Sequence, residues 1–267
     1  MRVLAATVLG LLALAPDLPA QFHTPVGVQR PAVVKKWLER LQESERALLR
    51  GEWMKAKQGT EKLLTEMCQR LEGGEGAEHL LGTAAFLRSL AEAGLGNEAA
   101  ANWDFRTALA MRPELGEIDL APFGVAGEML TPWRSNVWGS QEGEGGLTSE
   151  AQAMVTSLLP KAKVDPPRKI HAPKPKYPFA KHVACADGPI FIRTVIDEEG
   201  RPREPQLLSA QDPVLAFAAL EALRDWRFEP ARRDGEPVPV YYNLTVNFEV
   251  PVCTNLFARA QRGKGGE

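Results

Sequence analysis

Between residues 240 and 250 apolar and polar side chains alternate without a break, and few backbone geometries tolerate that pattern. Val240, Tyr242, Leu244, Val246, Phe248 and Val250 form one set; Tyr241, Asn243, Thr245, Asn247 and Glu249 form the other. A β-strand sends successive side chains to opposite faces, so this run predicts a strand with one buried and one wet face. Such a strand needs neighbours. Upstream, Ile190, Ile192, Thr194 and Ile196 alternate with Phe191, Arg193, Val195 and Asp197, which predicts a second strand. The turn Asp197-Glu198-Glu199-Gly200, with Gly200 able to take positive φ, leads into a short strand near residues 206–209.

Residues 213–226 read as a helix, with Leu215, Ala219, Ala222, Leu223 and Trp226 on one stripe. The order is strand, strand, helix, strand: one helix across one face of a three-stranded antiparallel sheet. Trp226 and Phe228 fall where the chain turns from helix back to sheet, so they are expected to close the open end of a small core. Pro230 is read as the helix stop, and Gly235 as the turn into the last strand.

Residues 32–113 follow a helical period instead. Val34, Trp37, Leu38, Leu41, Leu48 and Leu49 fall near one stripe. Two stretches look alike: GEWMKA from Gly51, and GNEAAANWDFRTALAMRP from Gly96 to Pro113, with Trp53 and Glu98 at the same place. They resemble the second helix of a tetratricopeptide repeat, in which small residues let paired helices approach closely; two plain helical hairpins are the alternative. Residues 114–159 lose periodicity and are expected to be irregular with one short helix. Trp133 and Trp138 are expected to pack back on the helices.

Residues 160–178 hold six prolines, six Lys or Arg residues and one acid, Asp165. Proline fixes φ and removes a donor, so residues 160–175 are expected to be an extended spacer that cannot pack.

A family emerges from the C-terminal residues taken together. Tyr177-Pro178, Gly188, the segment Val195–Gly200, Trp226-Arg227-Phe228-Glu229-Pro230-Ala231, Gly235 and Phe248 resemble the TonB C-terminal domain. The one departure is that Ala180 falls a residue early and Lys181 follows it. The resemblance implies a periplasmic, non-enzymatic part of a Gram-negative envelope energy transducer. Such domains grip outer-membrane proteins by adding an extended segment to a sheet edge. It would make Tyr241, Asn243, Thr245 and Asn247 the partner-facing residues of the last strand, with solvated surface as the other reading. The resemblance also sets the first and last strands side by side, which would bring Cys185 near Cys253 for a disulfide; two unpaired thiols are the alternative.

The N-terminus, with an apolar run ending at Ala15, Pro16 beyond it and Ala20 before Gln21, reads as a cleaved signal peptide over residues 1–20, with an inner-membrane anchor as the weaker option. The full division is signal peptide 1–20, leader 21–31, helical domain 32–113, irregular segment 114–159, spacer 160–175, TonB-like domain 176–251 and tail 252–267. The fold class expected is α+β. With a net charge of −2, nucleic acid is not an expected partner. The four histidines (His23, His79, His171 and His182) and three cysteines form no metal or nucleophile motif, so neither catalysis nor a cofactor nor a metal is expected. Protein partners remain, on the sheet edge and on the helices. Two readings stand: a link to outer-membrane transport, or a soluble periplasmic adaptor uncoupled from any proton-driven motor.

Overall fold

The computed structural model describes residues 31–71, 76–136, 164–184 and 186–248. The signal-peptide segment, Trp138, Cys185, Cys253 and the tail lie outside the described residues, as does the side chain of His182.

Four helices come first: α1 (Pro31–Leu49), α2 (Trp53–Arg70), α3 (Ala77–Gly94) and α4 (Glu98–Met111). Gly51 and Gly96, at φ 71° and 76°, take the left-handed conformation that ends α1 and α3 and lets each chain reverse. α3 is buried nearly all round, consistent with a run whose mean hydropathy outweighs its amphipathicity. Its last residue, Gly94, lies under the Trp53 indole; a Cβ there would meet the ring at 2.3 Å. The small residue in that pair is therefore a packing requirement. Close pairing of this kind is loosely consistent with tetratricopeptide-like helices.

The segment after α4 is not irregular throughout. It forms short 3-10 turns at Pro113–Glu117, Ala121–Phe123 and Thr131–Asn136, and a helix α5 (Val125–Leu130). Trp133 packs against the helical core.

The C-terminal part contains strands β1 (Val164–Asp165) and β2 (Arg168–His171), helix α6 (Phe179–Ala184), strands β3 (Gly188–Ile196) and β4 (Pro202–Ser209), and helix α7 (Pro213–Leu223). Strands β5 (Arg227–Glu229), β6 (Ala231–Arg233), β7 (Glu236–Val238) and β8 (Val240–Phe248) follow. The main sheet has the antiparallel order β4-β3-β8. α7 packs against this sheet, and its buried residues, Phe217 and Leu220 among them, share one continuous core with Ile190, Ile192, Leu244 and Val246. Asp212 caps α7 by accepting from the Val214 and Leu215 amides, and Lys181, 1 % exposed, pairs with the same carboxylate. The residue that departs from the family pattern thus secures the helix cap. Helices followed by antiparallel sheets make an α+β fold.

Three further expectations need correction. Pro230 does not stop the helix: α7 ends at Leu223, Trp226 lies past it, and Pro230 separates β5 from β6. The strand expected near residues 206–209, β4, begins at Pro202, because Pro202 and Pro205 sit on an edge strand whose register shifts twice and where Glu204 takes φ 47°. Residues 164–171 are no unpaired spacer. β1 pairs with β6 and β2 with β5, while the prolines at 166 and 167 lie between the two strands, where no ladder donor is needed.

Those ribbons explain the aromatics at the helix end. Trp226 donates its Nε1–H to the Pro173 carbonyl at 3.0 Å, and Lys169 sits 4.7 Å over its ring. Phe228 stands between Trp226 and Tyr242, at centroid distances of 6.3 and 5.8 Å. Gly200, at φ 74°, brings its carbonyl to the Phe228 amide at 2.8 Å. A Cβ there would lie 1.8 Å from the Phe228 carbonyl oxygen, so only glycine fits. Asp234 and Gly235 both have positive φ and form the tight β6–β7 turn.

Candidate functional site: an asymmetric sheet with one open edge

The two edges of the main sheet differ. β4 carries Pro202, Pro205 and two register shifts, and α4 packs against it around Arg203 and Glu204. Prolines, bulges and a covering helix each blunt an edge. β8 has none of these. It runs nine residues without proline, pairs with β3 in unbroken register from Gly188↔Phe248 to Ile196↔Val240, and pairs with no other described strand.

Along β8, Leu244, Val246 and Phe248 are buried, while Asn243, Thr245 and Asn247 are exposed. Tyr177 packs edge-on against Phe248 at 5.5 Å between centroids, tying Tyr177-Pro178 to the strand's end. Tyr241 is placed differently from the other three. It is half-buried, its hydroxyl oxygen is enclosed, and burial, with Glu204 nearby, pushes its phenol up to about 12. Buried Arg106 of α4 belongs to the same charge group. The exposed face of β8 therefore runs from Asn243 to Asn247, and the helical module closes the Tyr241 end.

Directly paired residues share a face, so Asn243 lies beside Arg193 and Thr245 beside Phe191. Arg193 donates from Nε to the side-chain Oδ1 of Asn243 at 3.1 Å, which leans the guanidinium toward β8. Phe191 is 42 % exposed.

The charges that sequence reading missed lie where the helices meet α7. Arg88 of α3 donates to Asp104 at 2.8 and 2.6 Å, and to Glu221 of α7 at 3.1 and 2.7 Å. Arg224 donates to Asp104 at 2.7 Å. Asp104 is fully buried, so this cluster fastens the helical module to the C-terminal part through partnered charge. The signal was present in the sequence: Arg88, Asp104 and Arg106 interrupt otherwise apolar helical runs.

Among the described residues no group of His, Cys, Asp and Glu is arranged to hold a metal ion, and no helix is long and apolar enough to cross a membrane. Cys68 packs half-buried against the core, where burial pushes its thiol up to about 12.

Residues 173–250 match the family model for the Gram-negative bacterial TonB protein C-terminal. Protein TonB of Vibrio cholerae serotype O1 is 30 % identical over 89 residues, which cover 33 % of this chain and 36 % of that protein. The chain thus spans about a third of the length of the curated relative it matches. The motif residues from Tyr177 to Phe248, the α7 cap and the antiparallel sheet all fall within the matched stretch, and residues 173–250 of this chain therefore belong to the TonB C-terminal domain family.

Proposed function

We propose that this chain is a non-enzymatic periplasmic protein of a Gram-negative envelope that captures an outer-membrane protein by adding an extended segment to β8, in service of energy-coupled transport. The asymmetry of the sheet edges carries this reading: β4 is interrupted and packed against α4, whereas β8 presents an uninterrupted line of backbone groups. Main-chain pairing would supply affinity, and the row from Asn243 to Asn247 would supply selectivity. Cleavage after Ala20 belongs to the same proposal, as does the division into a helical domain and a TonB-like domain.

A second reading keeps the edge and drops the motor. The Arg88–Glu221 link joins the helices to α7 directly, which favours an adaptor with one partner on β8 and another on the helices. N-terminal sequencing of the protein from envelopes separates the two: a retained apolar anchor supports the transducer, and a chain starting at Gln21 supports the adaptor.

Site-specific photo-cross-linking tests the shared claim. A cross-linker at Asn243 or Thr245 should trap an outer-membrane protein, while one at exposed Glu61 on α2 should not. Equal trapping from all three positions, or none from β8, would remove strand addition as the function.

A further inference from the structure

We infer that the cavity between the helical module and α7 binds a monocarboxylate with an apolar body, the body against Leu64, Phe217 and Ala218 and the charge on Lys174 and Lys176. The cavity measures about 330 Å³, within the range of about 300–1,000 Å³ usual for small-molecule sites. Its walls come from α2, Arg88 of α3, α7 with Asp225 just beyond it, and the segment from Pro173 to Lys176. No β8 residue lines it, so capture of a ligand here is separate from strand addition.

The walls decide the chemistry of the body. Leu64, Phe217 and Ala218 are buried and apolar. The polar side chains beside them already have partners. Thr65 donates to the Glu61 carbonyl, and the Gln69 side-chain oxygen accepts from the Phe179 amide. Arg88 and Glu221 pair with each other, and with Asp104 and Arg224 they form a balanced set of two cations and two anions. A polar body would give up its water for groups that are already bonded, whereas an apolar body loses nothing by leaving water.

The rim decides the charge. Residues 173–176 read Pro-Lys-Pro-Lys, and the prolines fix φ at alternate positions. The segment is tied down on both sides: the Pro173 carbonyl accepts from the Trp226 indole at 3.0 Å, and Tyr177 packs on Phe248. Lys174 and Lys176 are exposed beside the cavity, and neither makes a salt bridge among the described residues. Against them the lining holds one uncompensated acid, the exposed Asp225. Two ammoniums and one carboxylate leave a single positive charge, which one anionic head balances through a charge-assisted pair. Part of the basic, proline-rich run is thereby the lip of a binding site.

Calorimetric titration of the full chain with decanoate tests this, and alkylation of Cys68, which also lines the cavity, reports where the ligand sits. With Cys185→Ser and Cys253→Ser in place, Cys68 is the one thiol left. A fully buried methylene is worth about fourfold in affinity, so decanoate should bind at least about tenfold more tightly than hexanoate. Decyltrimethylammonium should bind at least about tenfold more weakly than decanoate, because its charge meets the lysines. Lys174→Gln combined with Lys176→Gln should weaken decanoate about three- to tenfold and leave decanol unchanged. Saturating decanoate should slow the reaction of Cys68 with maleimide. Ala218→Leu fills the cavity and should abolish both binding and protection; if that variant fails to fold, the lysine pair and Cys68 protection still decide. Absence of decanoate binding, binding without Cys68 protection, or equal affinity for the cationic amphiphile would overturn the site. Protection by phosphatidylglycerol vesicles but not by decanoate would also overturn it, since the ligand would then be a membrane rather than a free acid.

Discussion

Arg88 and Glu221 stand 133 positions apart in the chain and meet through two hydrogen bonds, at 3.1 and 2.7 Å. One end of that contact lies in α3 and the other in α7, so this guanidinium, together with Arg224 on Asp104, binds the helical module to the TonB-family domain. Arg88→Ala would leave Asp104 buried with only Arg224. Breaking a buried pair on one side costs about 3–5 kcal/mol, so Arg88→Ala should lower the melting temperature markedly. The loss should appear together in the helical signal and the near-ultraviolet signal of Trp226. Loss in one signal alone would show that the two parts melt separately.

The acid side of the same cluster gives a pH dependence. Burial by itself would raise the Glu221 carboxyl, but Arg88 and Arg224 outweigh it and hold the group below the usual carboxylate range. A depressed folded value stabilises the protein above the unfolded value, near about 4.3, and the contribution is lost as pH falls through the lower folded one. Glu221→Gln should therefore be less stable than the parent at pH 7, with the gap closing below about pH 4. A gap that is constant in thermal melts between pH 3 and 7 would contradict the ionised assignment.

Tyr241 provides the opposite sign. Its phenol is raised to about 12, so it stabilises the fold below the unfolded value of about 10, and that contribution is lost as pH rises through the folded value. Burial raises the Tyr177 phenol as well, so spectrophotometric titration should show the latest of the late steps at Tyr241, and Tyr241→Phe should delete that last step. Retention of the last step in Tyr241→Phe would place it at another tyrosine.

Trp226→Ala empties a site shared with Phe228, Lys169 and the Pro173 carbonyl, and should cost about 3–5 kcal/mol. Urea unfolding measures it. A change under 1 kcal/mol would mean that the ribbons, rather than the indole, close the core.

Gly94→Ala forces a methyl into the Trp53 ring and should cost about 1–3 kcal/mol, the range for overpacking. Combining it with Trp53→Leu should recover part of the loss, because the two residues are in contact. Additive losses in the double variant would show that the strain lies elsewhere.

How far the fold was legible follows from period and length. β3 and β8 are nine residues long with alternating burial and α7 is an eleven-residue apolar run, and all three were read close to their bounds. β1, β2 and β5–β7 run two to four residues each, and β2 is exposed throughout, so no alternation announces them. Prolines at 166, 167, 173 and 175 further disguised the segment as a spacer, although they lie beside the strand residues rather than within them. Asn243, Thr245 and Asn247 could be assigned to the outer face from alternation alone. The enclosure of Tyr241 could not, because it depends on α4, whose Arg106 is 135 positions away. The Arg88–Glu221 contact was hidden for the same reason: a pair bridging two elements has no period along either.

A sheet with two usable edges is a polymer subunit, since each addition regenerates an acceptor for the next. Here α4 and the two prolines disable β4, so whatever joins β8 adds to a surface that cannot propagate through the other side. Under the strand addition proposed above, the expected stoichiometry is one captured strand per chain. Two copies meeting through β8 would form a closed pair rather than the start of a fibre.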